Sequence, residues 1–453
     1  MTALPHSQDC GVVEVSAADT AAVAADVLAP LVARGLIVRR PRAMRLAERM
    51  DADRRAVRRL QRVRDRYGIG PVCVRLPGRT LALVLGPEDA HRVLAGSPEP
   101  FALATREKAA ALSRFQPHGV LVSSAPERAE RRRFNEQVLD SDRPVHAGAE
   151  AIVAKVLEEV DALLAAVAGN GGRLDYDLFA PAWWRMVRRV VLGDVARDDE
   201  GLTDELRRLR RHANWAYLRP ERRAATEHFL AGVEAYVDKA EPGSLAELVA
   251  TVPAAEGTVP HEQVPQWLFA FDAAGLASLR TLALLSTHLV ERSRALDEVA
   301  GRDLSRPADL RHLRACVLDA LRLWPTTPAI LRESTEETTW RGTTLPAGVS
   351  LVLHAPFLHR DGTRLRFADR FAPEVWRDGD GQPPEDWPLV PFSGGPGICP
   401  GRNLVLLTTS VFLGALLQRA ETALDRPQRL SPSRLLPGTL DPFGLSFSVT
   451  PTG

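Results

Sequence analysis

One stretch limits what this chain can fold into more than any other. It runs Pro391-Phe392-Ser393-Gly394-Gly395-Pro396-Gly397-Ile398-Cys399-Pro400-Gly401-Arg402-Asn403 and leads into the apolar run Leu404-Val405-Leu406-Leu407. One cysteine, four glycines and three prolines rule out a helix or an inner strand, so the segment is a shaped loop entering a helix. The loop presents a sulfur. Gly395, Gly397 and Gly401 keep side chains out of the way of a flat, bulky group lying on that sulfur. A helix starting near Gly401 adds roughly half a positive charge at its N-terminus, which favours a thiolate just before it. A free cysteine has a pKa of about 8.5, and a bound metal ion would deprotonate it outright.

The 453 residues are 45% hydrophobic and 25% charged, as in a globular protein with an ample core, and the net charge of +1 gives no reason for nucleic acid or an anionic membrane as partner. Lysine occurs only at Lys108, Lys155 and Lys239, an arginine bias of the kind found in high-GC bacteria. Cys10, Cys73, Cys316 and Cys399 lie far apart without a Cys-x-x-Cys pair, so the expectation is a reduced, cytoplasmic setting. The first residues lack a basic segment followed by an apolar core, and no run is expected to span a membrane.

Residues 17–67 read as helices, and Val72 to Val84 as a hairpin turning at Pro77-Gly78-Arg79. A short helix follows from Pro87, and 97–124 reads as a loop lying over a pocket. A helix starts at Pro126-Glu127 and places Arg128 and Arg132 on one face. From Ile152 to Tyr236 the chain reads as mostly helical, with the arginines of 207–223 mainly on a solvated face. A long helix is expected from Pro265 to about Glu291, roughly 40 Å. Within it Phe271, Ala274, Gly275 and Ser278 share a face, and a mid-helix glycine costs about 1 kcal/mol, so something flat or small needs that gap.

The Phe392, Gly395, Cys399, Gly401 spacing resembles the cysteine-ligand loop of cytochrome P450, the haem-thiolate monooxygenases. Other segments match in the family's order. Ala274-Gly275 with Ser278 resembles the oxygen-binding groove, but Ala277 stands where the family has an acid that helps deliver protons. Asp272 lies about 140° away around the helix and cannot replace it. Asp319 and Arg322 resemble the family's Glu-x-x-Arg, a buried structural pair. Val375 takes the place of an arginine that usually joins it, leaving Arg370, Arg377 or a bare pair as alternatives.

The resemblance, which covers the chain from about residue 70 to its end, implies one mainly α domain with a small β region, taken over residues 1–453, and residues 1–16 are expected to form a flexible N-terminal tail. It implies haem b (iron protoporphyrin IX) with Cys399 as iron ligand, and propionates on Arg128, Arg132 and Arg332. Phe392, Ser393, Gly397, Ile398, Gly401, Ala274 and Gly275 would surround the ring. Gly397 departs from the family, which has Arg or His there. Ala274, Gly275 and Ser278 are the expected catalytic residues, and Phe115, Phe271, Ala329 and Ile330 the substrate lining.

The implied activity is oxidation of a small organic substrate in secondary metabolism, with electrons from a separate ferredoxin and reductase that dock near Arg131 or Arg133. The missing acid at Ala277 leaves a peroxide-dependent or oxidative-coupling enzyme as an alternative. Against a typical peroxide user, Arg280 is about 200° from Ser278 and points off the haem. A non-catalytic haem-binding or ligand-binding protein is the third reading.

Overall fold

The structure is a computed structural model describing residues 11–377 and 387–452. Its centre is the helix Val264–Leu285, with Pro265 in the first turn, where its missing N–H costs nothing. From Leu276 to Leu285 every residue is buried, so the helix is packed from all sides. The segment His261–Leu285 is long and apolar enough to cross a membrane, contrary to the reading that no run is, yet 78% of its apolar window is buried inside the fold. We call it the core helix.

The core helix stops six residues short of the expected Glu291. Ser286 Oγ bonds back to Leu282 O, and Thr287 Oγ1 to Ala283 O and Leu284 O, so short polar side chains compete for the terminal carbonyls. A separate helix, Leu289–Val299, then begins.

Around the core helix pack the helices Tyr176–Leu192, Arg311–Leu323 and Arg402–Arg419. The strands are β1 (Val72–Leu76), β2 (Arg79–Leu83), β3 (Phe101–Ala102), β4 (Arg173–Asp175), β5 (Ala329–Ser334), β6 (Thr338–Trp340), β7 (Thr343–Leu345), β8 (Ser350–His354), β9 (Ala420–Leu424) and β10 (Ser446–Pro451). One sheet runs β1-β2-β8-β5-β3, a second β4-β10-β9, and β6 pairs with β7. The expected hairpin is β1–β2, with Val72 opposite Leu83. In β5 the register sets Arg332 opposite Leu351 and Ile330 opposite Leu353. The architecture is mainly α with a small β region, as expected.

Several local expectations change. Residues 97–124 are not all loop: they hold β3 and the helix Arg106–Leu112. In the expected N-terminal tail, residues 1–10 lie outside the described residues, while Val15 N donates to Cys73 O and Cys73 N to Val13 O. Cys73 is disulfide-bonded, against the expectation of a reduced setting, and Cys316 and Cys399 are free. Arg210 leaves the solvated face of 207–223: it is buried and pairs with Asp272 at 2.6 Å. That contact turns Asp272 away from the groove, as its angle predicted.

The brace is Asp319 with Arg322, both 0% exposed and joined at 2.6 and 3.1 Å. Among the described residues no second arginine replaces Val375 in this pair. Arg322 donates instead to the carbonyls of His359, Ala368 and Arg370, and Asp319 accepts the Ala372 N–H and the Trp376 indole at 2.8 and 3.0 Å. His359 then takes Val390 N–H on Nε2 at 2.9 Å and faces Arg322 O with Nδ1 at 3.1 Å. Since Nε2 is the acceptor, Nδ1 carries the proton. The pair thus reaches the residue before Pro391.

Breaking one side of a buried pair strands the other charge, so Arg322→Met should cost about 3–5 kcal/mol in denaturant unfolding. Trp376→Phe removes one neutral donor and should cost only about 1–3 kcal/mol. Burial also pushes the imidazoles of His359 to about 3 and His354 to about 4. The unfolded chain takes up these protons below about pH 6.5 and the folded chain does not. Their contribution to stability is therefore complete above about 6.5 and is lost as pH falls toward 3 to 4. The unfolding midpoint should drop across that window, with a shallower slope in His354→Asn.

Candidate functional site

The breaker-rich loop forms as the sequence predicts, and the helix after it begins at Arg402 with Gly401 at its N-cap. Cys399 N donates to Phe392 O at 2.9 Å, which folds the loop back on itself. Cys399, Phe392 and Ile398 are half-buried, and Ile398 O accepts from Arg132 Nη1 at 2.6 Å. Burial pushes the Cys399 thiol up, opposed by the Gly401 N–H, Arg132 and Arg402. Without a metal the sulfur is a thiol at neutral pH. A coordinated metal would reverse that.

Arg332 reaches this loop from β5. It is buried, donating from Nε to Ser97 Oγ at 2.9 Å, from Nη1 to Leu331 O at 2.9 Å and from Nη2 to Ser393 Oγ at 3.2 Å. A Cβ built on Gly397 would lie 2.5 Å from Arg332 Nη2 and 2.7 Å from Leu103. Arg332 Nη2 thus occupies the space into which a side chain at 397 would first extend.

Arg128 and Arg132 share a face of the helix Glu127–Val138, which is tied to the core helix because Trp267 Nε1 donates to Asn135 Oδ1 at 2.7 Å. Arg132 also pairs with Glu136 at 2.6 Å. Arg128 is buried, and its Nε and Nη2 have no partner. A buried unmet donor costs about 1–3 kcal/mol, more when charged. Arg131, one of the two expected docking arginines, is tied to Ser123 Oγ and Gly257 O, while Arg133 is exposed.

Sequence reasoning missed Lys108. Its Nζ donates to Leu103 O at 2.7 Å and Leu331 O at 3.0 Å, and burial, with Arg332 and Arg128 nearby, pushes it down to about 7. Burial and Arg128 likewise lower Arg332 to about 10. The scarcity of lysine in this chain was the one available signal. Lys108, Arg128 and Arg332 form a cationic group without an ion pair to Arg128 or Arg332 among the described residues, a cradle that fits a dianionic ligand. The glycine-lined sulfur and these unmet donors fit haem with its two propionates.

The core-helix residues divide. Ala274 and Ser278 are buried, and Ser278 Oγ donates to Ala274 O at 3.0 Å. Gly275 does not leave a gap for a cofactor. A Cβ there would lie 2.8 Å from the Trp183 indole Nε1, which itself donates to Phe271 O at 2.8 Å. The flat group that the glycine admits is the protein's own tryptophan. Of the expected lining, Phe115 packs edge-on to Phe269 with centroids 5.7 Å apart, Phe271 and Ile330 are buried, and Ala329 is half-buried. Arg280 points elsewhere, donating to Trp324 O and Leu440 O.

Comparison with known proteins agrees with this arrangement. The family model "Cytochrome P450" matches residues 291–440, which include the brace, Arg332 and the cysteine loop. Over that third of its length the chain is similar to the cytochrome P450 family. Cytochrome P450 4c3 of Drosophila melanogaster is 29% identical over 215 residues, 44% of this chain and 40% of its own length. Cytochrome P450 72A397 of Kalopanax septemlobus is 32% identical over 164 residues, 34% of this chain and 32% of its own. The matches thus span well under half of these curated relatives.

Among solved P450 structures, the retinoic acid-bound cyanobacterial CYP120A1 superposes with a TM-score of 0.69 at 17% identity, covering 86% of this chain and 94% of that one. CYP102L1 gives 0.71 at 18% identity, covering 88% and 94%. At those identities the likeness is one of fold.

The packing of Gly275 is directly testable. Gly275→Ala should destabilise by about 1–3 kcal/mol through overpacking against Trp183. Trp183→Phe, which makes room, should make the alanine markedly less costly in a double-mutant cycle, whereas a glycine facing only a cofactor would give additive losses.

Proposed function

We propose that this chain is a haem-thiolate monooxygenase that uses dioxygen to hydroxylate or similarly oxidise a small organic substrate, with Cys399 as the iron ligand. The observation that carries this reading is the sulfur-presenting loop beside buried guanidiniums that lack counter-charges. Haem b held there would supply oxidising power, because thiolate ligation favours O–O cleavage. Arg128, Arg132 and Arg332, with Lys108 added, would hold the propionates. Ser97 and Ser393 keep Arg332 oriented for that task. Phe392, half-buried and bonded through its carbonyl to Cys399 N, would limit water at the sulfur.

Phe115, Phe271, Ala329 and Ile330 would give the substrate side an apolar lining. Catalytic work there falls to Ala274 and Ser278. Gly275 acts through the packing of Trp183. The Ser278 hydroxyl spends its proton on Ala274 O and can still accept one, and Thr281 is bonded to Ala277 O. A face with one alcohol and no acid favours a second reading, a peroxide-dependent or oxidative-coupling enzyme. For the first reading, electrons would come from a separate ferredoxin and its reductase meeting exposed Arg133, in a cytoplasmic enzyme of secondary metabolism whose catalytic domain spans 1–453.

Purified protein should bind haem, and its reduced carbonyl complex should absorb as a sulfur-ligated species. Cys399→Ser should abolish that band, and Arg128→Met with Arg332→Met should lower haem retention at least tenfold. A colourless protein, or a wild-type carbonyl complex without sulfur-type absorption, would sink the proposal. Product with ferredoxin, reductase and NADPH supports oxygen use, and product only with peroxide supports the second reading. Ala277→Asp should raise the fraction of electrons reaching product in the first case.

A further inference from the structure

Arg280 has no part in the site described so far, and its surroundings have their own chemistry. It is 5% exposed, its Nη1 and Nη2 donate to Trp324 O at 3.0 Å and Leu440 O at 2.8 Å, and its Nε is buried with no partner. Half-buried Arg39 lines the same cavity, donating to Gly35 O at 2.5 Å and Thr326 O at 2.6 Å. The cavity that both line measures about 20 Å³ and is also lined by Arg34, Asp53, Pro325 and Thr439. That is room for one occupant of about water size.

The charges around this cavity do not balance. Arg34 takes Asp53 in a two-pronged pair at 2.7 and 2.8 Å, and Thr439 Oγ1 donates to the same carboxylate at 2.8 Å. Arg39 and Arg280 make no ion pair among the described residues. Of the other titratable groups nearby, His354 is held neutral by burial, and Asp272 is engaged by Arg210. Asp441 stands outside ion-pair reach of Arg280, its carboxyl pushed up by burial, with Glu48 and Arg45 beyond it. Burial lowers Arg280 to about 9 and Arg39 to about 10, so both stay charged at neutral pH. Three guanidiniums face one carboxylate.

We propose that this cavity binds one small monovalent anion between Arg39 and Arg280, either a free halide-sized ion or the carboxylate end of a longer ligand. Buried cations are tolerated when paired, and an anion supplies both the missing charge and an acceptor for Arg280 Nε. The inference stands apart from the haem reading, since none of these residues belongs to the cysteine loop or the propionate cradle.

The test is thermal unfolding of the full chain, titrated with chloride, bromide or formate against gluconate at constant ionic strength. A saturable rise in Tm is expected with the small anions, and Arg280→Gln and Arg39→Gln should each weaken it at least tenfold. Equal Tm in all salts, or an unchanged response in both variants, would overturn the proposal. If either variant does not fold, crystals of wild type soaked in bromide decide the matter. An anomalous peak between the two guanidiniums supports the site, and its absence there refutes it. Octanoate that competes with bromide, while methyl octanoate does not, would identify a carboxylate end as occupant, and bromide binding indifferent to octanoate a free ion.

Discussion

The Asp319–Arg322 pair governs more of this structure than its size suggests. Two charges with no solvent exposure are stable only if nearly every polar atom is met, and here they are met by backbone drawn from a distant segment. The carbonyls of 359, 368 and 370 and the amide of 372 are thereby fixed to the helix Arg311–Leu323. His359 extends the hold to Val390, one residue before the loop that carries Cys399. A glycine-rich loop has little packing of its own to define its shape. Its position is therefore set from below, through an aspartate that the shorter side chain makes dependent on Trp376 for a further donor.

A second constraint is electrostatic. Buried Arg128 and Arg332 and half-buried Lys108 lie near one another, and each is made less willing to hold its proton by burial and by its neighbours. A fold does not gather such groups for stability, since like charges in low dielectric repel and each unmet donor carries a desolvation cost. The arrangement is explicable if a dianion belongs there. At Gly397 the space beside the backbone is taken by the Arg332 guanidinium.

The motifs legible in the sequence are those whose geometry is local. The cysteine loop, the i,i+3 pair, the shared face of Arg128 and Arg132 and the β1–β2 hairpin each follow from spacing within a few residues. Features that depend on remote partners were not legible. Gly275 looked like a gap for a cofactor, but its neighbour Trp183 comes from a helix some ninety positions earlier in the chain. Lys108 carried no motif, and its role emerges only when β5 brings Leu331 beside it. The core helix ended early because Ser286 and Thr287 bond back to the last turn, a local signal that apolar periodicity overrode in the reading.

The core helix shows how one element can serve separate chemistries by angle alone. Successive residues differ by about 100°, so Ser278 and Arg280 are directed to different surroundings although only two positions apart. Ser278 stays on its own helix at Ala274, Gly275 admits Trp183, and Arg280 reaches across to Trp324 and Leu440. Replacement of an acid by Ala277 removes charge from one face, while Arg280 adds an unpaired charge on another.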